Sequence, residues 1–475
     1  MAKFNEKTKS EKLTTYEGGK AYAKEPATDW LNFLFSSFLE DAYYESSEQQ
    51  MERFIDLTNK MGQMYGCDFV AKAANMARNE FGLRSVSQLT AAILNSQNWE
   101  NKRQFFRDFC HRPDDVSEIF GAIDMLGEKR SHALVRGCGD YLSTLGEYQI
   151  DKYKMNGKKY NMFDIINITH AKSAAIGAYK NGTIESADTW EKAISSTDDK
   201  FAEWTRLVAE HKLGYLALIR NLRNILNGSH SSEWIRTALV PQLVDEKAIK
   251  KSMVYPYQIY CAYKNMDSSN PYVVMALDEA FRIACGNVEK LDGSSMIILD
   301  VSGSMDDTIS NKSNITLKQV GACYAAMLYV SQDAEFVKFG NSAKKKSFKK
   351  TDSIFTIIKQ MTSNDDCGYG TEIDKAFGVL DKHYDRLFII SDFQVMEPRG
   401  SWWSYHNDGT KNFAEYCDKY GDSRCYSFDL GNYNNTQTDP TDNRVSYCTA
   451  LNDNVFKMIP FLEGDKNLVD FVNQF

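Results

Sequence analysis

A chain of 475 residues, 43% apolar and 25% charged with a net charge of −8, is too long for one ordinary core and has the make-up of a multidomain globular protein. It has no long uncharged apolar run, and residues 1–10 are too polar for a secretory signal, so a soluble, cytoplasmic protein without a membrane partner is expected. The ten cysteines are scattered without a Cys-x-x-Cys pair, which argues against a zinc site or a disulfide framework and for reduced, mostly buried thiols.

Residues 1–16 read as a lysine- and threonine-rich arm, residues 17–22 as a turn signal, and residues 29–39 as too apolar for a surface. From there the pattern is helix after helix. Ser46-x-x-Gln49 and Ser85-x-x-Gln88 look like capping boxes, and Gly66, Gly127, Gly146, Gly182 and Gly228 stand where helices would stop. Apolar residues recur at helical spacing, as in Val116, Ile119, Phe120, Ile123 and Leu126, and no comparable strand pattern precedes Met296. Many short antiparallel helices with few prolines predict an α-solenoid of HEAT-like repeats, although no fixed repeat period is visible.

Three phrases in this half carry more than periodicity. Lys152-Tyr153-Lys154-Met155-Asn156-Gly157-Lys158-Lys159-Tyr160 is a basic cluster interleaved with aromatics, and Thr169-His170-Ala171-Lys172 follows it. Over residues 216–226, Arg220 and Arg223 are three apart, as are Asn221 and Asn224, so cations and amides share one side of a helix while leucines bury the other. Such a stripe suits a polyanion. The first 290 residues carry 37 Lys+Arg against 38 Asp+Glu and the rest 19 against 26, so a nucleic-acid site must be a local patch within a screening distance of about 8 to 10 Å. Blander fates stand beside each residue: lysines as solvated helix surface, His170 as a cap, Arg220 as a salt-bridge partner, Tyr153 and Tyr160 as core aromatics instead of base-stacking ones.

At Ser294-Ser295-Met296-Ile297-Ile298-Leu299 an apolar strand runs into Asp300-Val301-Ser302-Gly303-Ser304-Met305, so a strand delivers hard oxygen ligands to a loop. Thr371 follows the glycine-rich loop 365–370, and Asp392 ends a second apolar strand over 386–391. This Asp-x-Ser-x-Ser pattern with its distant partners resembles the metal-ion-dependent adhesion site of von Willebrand factor A domains. The resemblance implies a divalent cation, Mg²⁺, held by Asp300, Ser302, Ser304, Thr371 and Asp392, with open positions left for a partner's carboxylate. Plain helix capping is the alternative for the aspartate and serines. A phosphatase of the aspartyl-nucleophile class would want Asp at Ser302, and Gly303-Ser304-Met305 does not complete a nucleophile elbow.

Strand and helix then alternate: helices over 316–332, 352–361, 371–384, 411–420 and 465–474, and strands over 334–340, 387–391 and 424–430. A doubly wound open sheet is predicted, with Asp300 and Asp392 both arriving at the carboxyl ends of strands where such sheets bind ligands. The cationic run Lys344, Lys345, Lys346, Lys349 and Lys350 reads as a solvated hairpin or loop, and Trp402, Trp403 and Tyr405 as a loop beside the metal site.

Taken together, the early Glu17-Gly18-Gly19 and Tyr44-Glu45-Ser46, the Lys152-Tyr153-Lys154 cluster, Thr169-His170, and Ala217-Leu218-Ile219-Arg220-Asn221-Leu222, followed by Asp300-Val301-Ser302-Gly303-Ser304-Met305, resemble the TROVE module of the Ro autoantigen family, of prokaryotic or phage type. The resemblance covers nearly the whole chain. It implies a multidomain α plus α/β protein: residues 1–288 a ring-like solenoid, residues 289–475 an A domain with a Rossmann-like sheet. It further implies a non-catalytic ribonucleoprotein component, monomeric, that holds Y RNA-like small noncoding RNA and single-stranded RNA 3′ ends. DNA is not an expected partner. Lys152, Lys154 and His170 fall in the family's RNA-binding phrases, with Lys158, Lys159, Lys172, Arg220 and Arg223 added by position. An exoribonuclease such as polynucleotide phosphorylase is the expected protein partner. A metal-dependent phosphatase or nuclease at Asp300, kept open by Asp306, Asp307, Asp365 and Asp366, and a protein-only adhesion adaptor are the competing readings.

Overall fold

The structure, a computed structural model, describes residues 12–15, 20–22, 24–36, 47–186, 189–228, 230–252, 254–266, 270–286, 288–309, 314–349, 351–363, 366–394, 408–431, 433, 435–439, 442–448, 456, 458–463 and 468–475. Tyr44, Glu45, Ser46, Lys350, Asp365, Trp402, Trp403 and Tyr405 lie outside them, as do residues 1–11 and 17–19. The chain falls into two units: residues 33–39, 48–198 and 469–475 in one, residues 1–32, 40–47 and 199–468 in the other.

The first unit is helical. Its helices Ser85–Leu94 and Pro113–Met125 pack together, as do Lys102–Phe109 with His132–Leu142 and His132–Leu142 with Met162–Thr169. Each helix thus lies on the next but one, the layering that a stack of helical hairpins requires. Two glycines make the middle layer possible. A Cβ at Gly137 would sit 2.4 Å from the Arg103 carbonyl oxygen, and one at Gly139 would sit 2.7 Å from that of Thr169, so the His132–Leu142 helix has bare backbone toward both neighbours. The layers are pinned by Asp115, fully buried, which accepts from Arg78 Nε and Nη2 at 3.2 and 3.0 Å, Gln88 at 2.7 Å, and the N–H groups of His111 and Arg112 at 3.1 and 3.0 Å.

The capping-box reading at Ser85 is corrected. The N-cap is Arg84, and Gln88 turns inward to Asp115 instead of back to the backbone. Gly146 precedes helix Glu147–Lys152 and so starts a helix, whereas Gly66, Gly127, Gly182 and Gly228 follow helix ends as expected.

In the second unit β1 (Lys12–Thr14) and β2 (Lys20–Tyr22) pair antiparallel, a strand pattern too short to show as alternation. The single helix read over 216–226 is two, Tyr215–Arg220 and Leu222–Leu226, broken at Asn221. Helices Pro256–Lys264 and Pro271–Cys285 pack on the helices Leu317–Ser331 and Ile354–Thr362 that flank the sheet. Asp278 caps the latter, accepting the Ile354 N–H at 2.6 Å and the Ser353 hydroxyl at 2.8 Å.

The sheet comprises β3 (Ser295–Asp300), β4 (Glu335–Phe339), β5 (Ala343–Lys346), β6 (Arg386–Ser391), β7 (Arg424–Asp429) and β8 (Val445–Cys448), in the order β5-β4-β3-β6-β7-β8. All neighbours are parallel except β5 on β4. Ile298, Val337, Ile389 and Cys425 face a core closed by Phe377, Phe413 and Tyr416 from helices Ile373–Gly378 and Gly409–Tyr420. The lysine run at 344–346 is therefore the second strand of a hairpin, at the edge of the sheet, so of the two readings hairpin or loop the hairpin holds. Lys345 pairs with Glu335 at 2.6 Å and Asp381 at 3.1 Å, and Lys346 with Asp366 at 2.7 Å, which blunts the edge against further strands. The helix expected to reach Tyr384 stops at Gly378, because Tyr384 is drawn into the core and gives its N–H to Tyr416. None of the ten cysteines is in a disulfide and eight are buried, and among the described residues no helix is long and apolar enough to cross a membrane.

Candidate functional site

β3 is buried along its length and carries Asp300 to the carboxyl edge of the sheet, where the chain turns through Ser302 and Gly303 into the 3-10 turn Ser304–Asp306. Asp300 Oδ1 accepts the Ser302 N–H at 2.8 Å, and Oδ2 accepts the Ser391 hydroxyl at 2.6 Å. Since Ser391 closes β6, Asp392 enters the same crevice from the neighbouring parallel strand. Its Oδ1 accepts the Gln394 N–H at 3.2 Å, and its Oδ2 is buried without a hydrogen-bond partner. The hydroxyls of Ser302 and Ser304 lie 3.3 Å apart. The loop bearing Thr371 is tied on by the Gly303 N–H, which donates to the Tyr369 carbonyl at 2.9 Å. Thr371 is itself buried, as are Asp300, Ser302 and Asp392.

Burial pushes the Asp392 carboxyl up to about 7, and the neighbouring Asp300 charge adds to the rise. Burial also raises Asp300, against the pull of hydrogen bonds from Ser391 and Ser302 and of the Lys318 ammonium. Two buried carboxyls, an orphaned oxygen and a set of hydroxyls are an electron-rich, oxygen-only donor set. Such a set fits a small hard cation. Among the described residues no three His, Cys, Asp or Glu side chains gather as a metal cluster, so the donors here are hydroxyl and carboxylate together.

Two nearby lysines escaped the sequence reading. Lys318, in the first turn of helix Leu317–Ser331, is nearly buried and reaches Asp306 at 2.8 Å. Lys24 is enclosed with Asp429 at 2.6 Å, and Asp429 stands in register beside Ser391 at the end of β7. No local signal marks Lys24, whose partner is 405 positions away.

The cations proposed for nucleic acid fall into two groups. In the first unit, Lys154 pairs with Asp151 at 2.7 Å, Lys158 with Glu118 at 3.2 Å and Lys159 with Asp124 at 2.7 Å. Lys152 instead lies over the rings of Tyr148 and Tyr153, at 5.6 and 5.8 Å. With Tyr153, Asn156, Lys158, Arg84 and Asp114 it lines a cavity of about 500 Å³. Tyr160 packs edge-on against Phe120 at 5.7 Å under Arg130, a structural place, whereas Tyr153 is half-buried with the Arg112 guanidinium over its ring at 4.8 Å. His170 closes helix Met162–Thr169 in the left-handed region (φ 55°) and is exposed, as is Lys172. In the second unit Arg220 and Arg223 are exposed while Leu218, Ile219, Leu222 and Ile225 are buried. Among the described residues Lys152, His170, Lys172, Arg220 and Arg223 have no carboxylate partner.

Residues 147–274 match the family model of the TROVE domain. Telomerase protein component 1 of Mus musculus is 30% identical over 80 residues, and that of Rattus norvegicus 27% over 84 residues. Those stretches are 17% and 18% of this chain and 3% of either relative, so the chain matches only a small part of the relatives' length. The crystal structure of the Deinococcus radiodurans RO (RSR) protein superposes with a TM-score of 0.63 at 16% identity, covering 93% of this chain and 100% of that one, which is a likeness of fold.

Proposed function

We propose that this chain, a member of the TROVE-domain family with the fold of a Ro protein, is an RNA-binding component of a ribonucleoprotein. The observation that carries the reading is that the four cations without a carboxylate partner singled out above, Lys152, Lys172, Arg220 and Arg223, and the exposed His170 all fall inside the matched residues 147–274. A phosphate contact needs a cation that is not already neutralised, and at physiological salt only the local charge acts. The first 290 residues, with 37 Lys+Arg against 38 Asp+Glu, can bind RNA on those terms.

In this reading the ligands are Y-like small noncoding RNA and the single-stranded ends of misfolded or structured RNA, and the role is RNA quality control or processing in the cytoplasm. The protein acts as a monomer and without catalysis, and any trimming belongs to a tethered exoribonuclease such as polynucleotide phosphorylase. Asp300, Ser302, Ser304, Thr371 and Asp392 would hold Mg²⁺. Bound there, the cation supplies a Lewis-acidic position for a partner's carboxylate. The chain's own part is to keep two buried carboxyls and their hydroxyls in place through the Ser391 and Gly303 hydrogen bonds.

The test is binding of the purified protein to a small structured RNA with a single-stranded 3′ end and to its blunt version, at low and physiological salt. Binding that needs the free end, weakens with salt and leaves the RNA uncut is the expected result. Cleavage would instead establish a hydrolase, and no binding at either salt would overturn the reading.

A further inference from the structure

Outside the phrases discussed so far, the second unit holds a stack of three aromatic rings. His230 lies on Trp234 at 3.9 Å with planes 13° apart, and Phe201 leans on His230 with centroids 4.5 Å apart and planes tilted by 41°. The geometry is built and not incidental. His230 Nε2 is held by the Ile225 carbonyl at 2.7 Å, and Gly228 makes room for Phe201, since a Cβ there would sit 2.1 Å from the phenyl ring. Yet the stack is not in the core: Phe201 is 37% exposed, and His230 and Trp234 are half-buried. An ordered stack that keeps ring surface in water gains little for folding from that surface.

The surroundings are cationic. Helix Lys200–Ala209 packs against helix Leu222–Leu226 and against the π-turn Ile235–Leu239, so the helix of Phe201 adjoins the element of Arg223 and the element of Arg236. Arg220, Arg223 and Arg236 are exposed without carboxylate partners among the described residues, and Arg236 lies over the ring of Tyr272 at 5.7 Å. Glu203 and Glu210 are both taken by Arg206 at 2.6 Å, Asp199 caps the helix that carries Phe201, and Asp198 and Glu233 are the exposed acids nearest in the chain to the rings. A π-turn placed there departs from the regular helix, as often happens where a helix serves a site.

We propose that the Phe201, His230 and Trp234 stack is a platform on which an unpaired RNA base stacks, with Arg220, Arg223 and Arg236 following the phosphates. Every base has a π-face, so such a platform takes single strands with little sequence preference, and its ring-to-base contact is unavailable to a duplex. The proposal rests on the RNA-binding reading and adds to it a site for the unpaired segment.

The test uses the full chain, with fluorescein-labelled oligouridine and oligoadenosine and a blunt hairpin RNA as probes. Phe201→Ala and Trp234→Ala are expected to weaken single-strand binding roughly tenfold or more, leaving hairpin affinity and the salt slope unchanged. Trp234→Phe, which keeps a ring, should restore most of the loss. Arg223→Gln should lower the salt slope instead. Equal single-strand affinity in wild type and the alanine variants would overturn the platform while leaving RNA binding intact. Wild type that binds none of the probes would overturn both. Should Trp234→Ala fail to fold, Phe201→Ala and the oligoadenosine-dependent quenching lost between wild type and Trp234→Phe decide the matter.

Discussion

Replacing Asp392 by Asn should stabilise the metal-free protein at alkaline pH and abolish its response to Mg²⁺. Burial and the Asp300 charge lift the Asp392 carboxyl from its ordinary value of 3.8 to about 7. Between those values the folded state holds a proton that the unfolded state has released. Stability of the metal-free chain therefore falls as pH rises through that window, and the full penalty is present above about 7. About three units at 1.36 kcal/mol each make that penalty about 4 kcal/mol. Asn fills nearly the same volume, keeps an acceptor for the Gln394 N–H, and cannot ionise. Thermal unfolding in EDTA should show Asp392→Asn above wild type at pH 8, by on the order of 10 °C, with little difference at pH 4. Millimolar Mg²⁺ should raise the wild type at pH 8 and leave the variant unchanged, because only a state that binds the ion is stabilised by it. A variant less stable than wild type at pH 8 in EDTA would refute the claim that burial and the Asp300 charge make an ionised Asp392 costly in the metal-free protein.

Arg78→Met should cost about 3 to 5 kcal/mol in denaturant unfolding, since it strands the buried Asp115 carboxylate that joins its helical layers; a loss under 1 kcal/mol would sink that account. Gly137→Ala should destabilise the same unit by roughly 1 to 3 kcal/mol, because its Cβ would meet the Arg103 carbonyl oxygen at 2.4 Å and backbone cannot step aside, which urea unfolding would reveal. Lys152→Gln and Arg223→Gln should each weaken RNA binding uniformly across sequences and lower the salt slope by about one. Lys159→Gln, already paired with Asp124, should do markedly less, and equal effects in all three would show that ion pairing does not select the contacts.

The residues of the candidate site were legible because a doubly wound sheet sends the ends of its parallel strands to one edge. Asp300 ends one strand, Asp392 follows its neighbour, and the hydroxyls of Ser302 and Ser304 come with the first loop. Helical character was equally plain wherever the apolar spacing ran long enough, as at Val116 to Ile123. Boundaries were less so: Ser85 looks like a cap only until Gln88 finds Asp115 27 residues away. The lysine run at 344–346 left hairpin and loop open because edge strands carry charge without alternating apolar residues.

By itself the sequence determined the type of the longer elements, the edge of the sheet at which the oxygen donors gather and the chemistry of those donors, all of which follow from local periodicity and residue type. Only the tertiary structure decided which charges remain available. Lys158 and Lys159 are neutralised by Glu118 and Asp124 of an earlier helix and Lys154 by Asp151 three residues back, while Lys152 turns to tyrosines, and Arg220 and Arg223 stay open. It likewise placed Lys24 on Asp429 and His230 on Trp234 beside Phe201. Ion pairs and ring stacks act over a few ångströms of space, and separation along the chain carries no record of that distance.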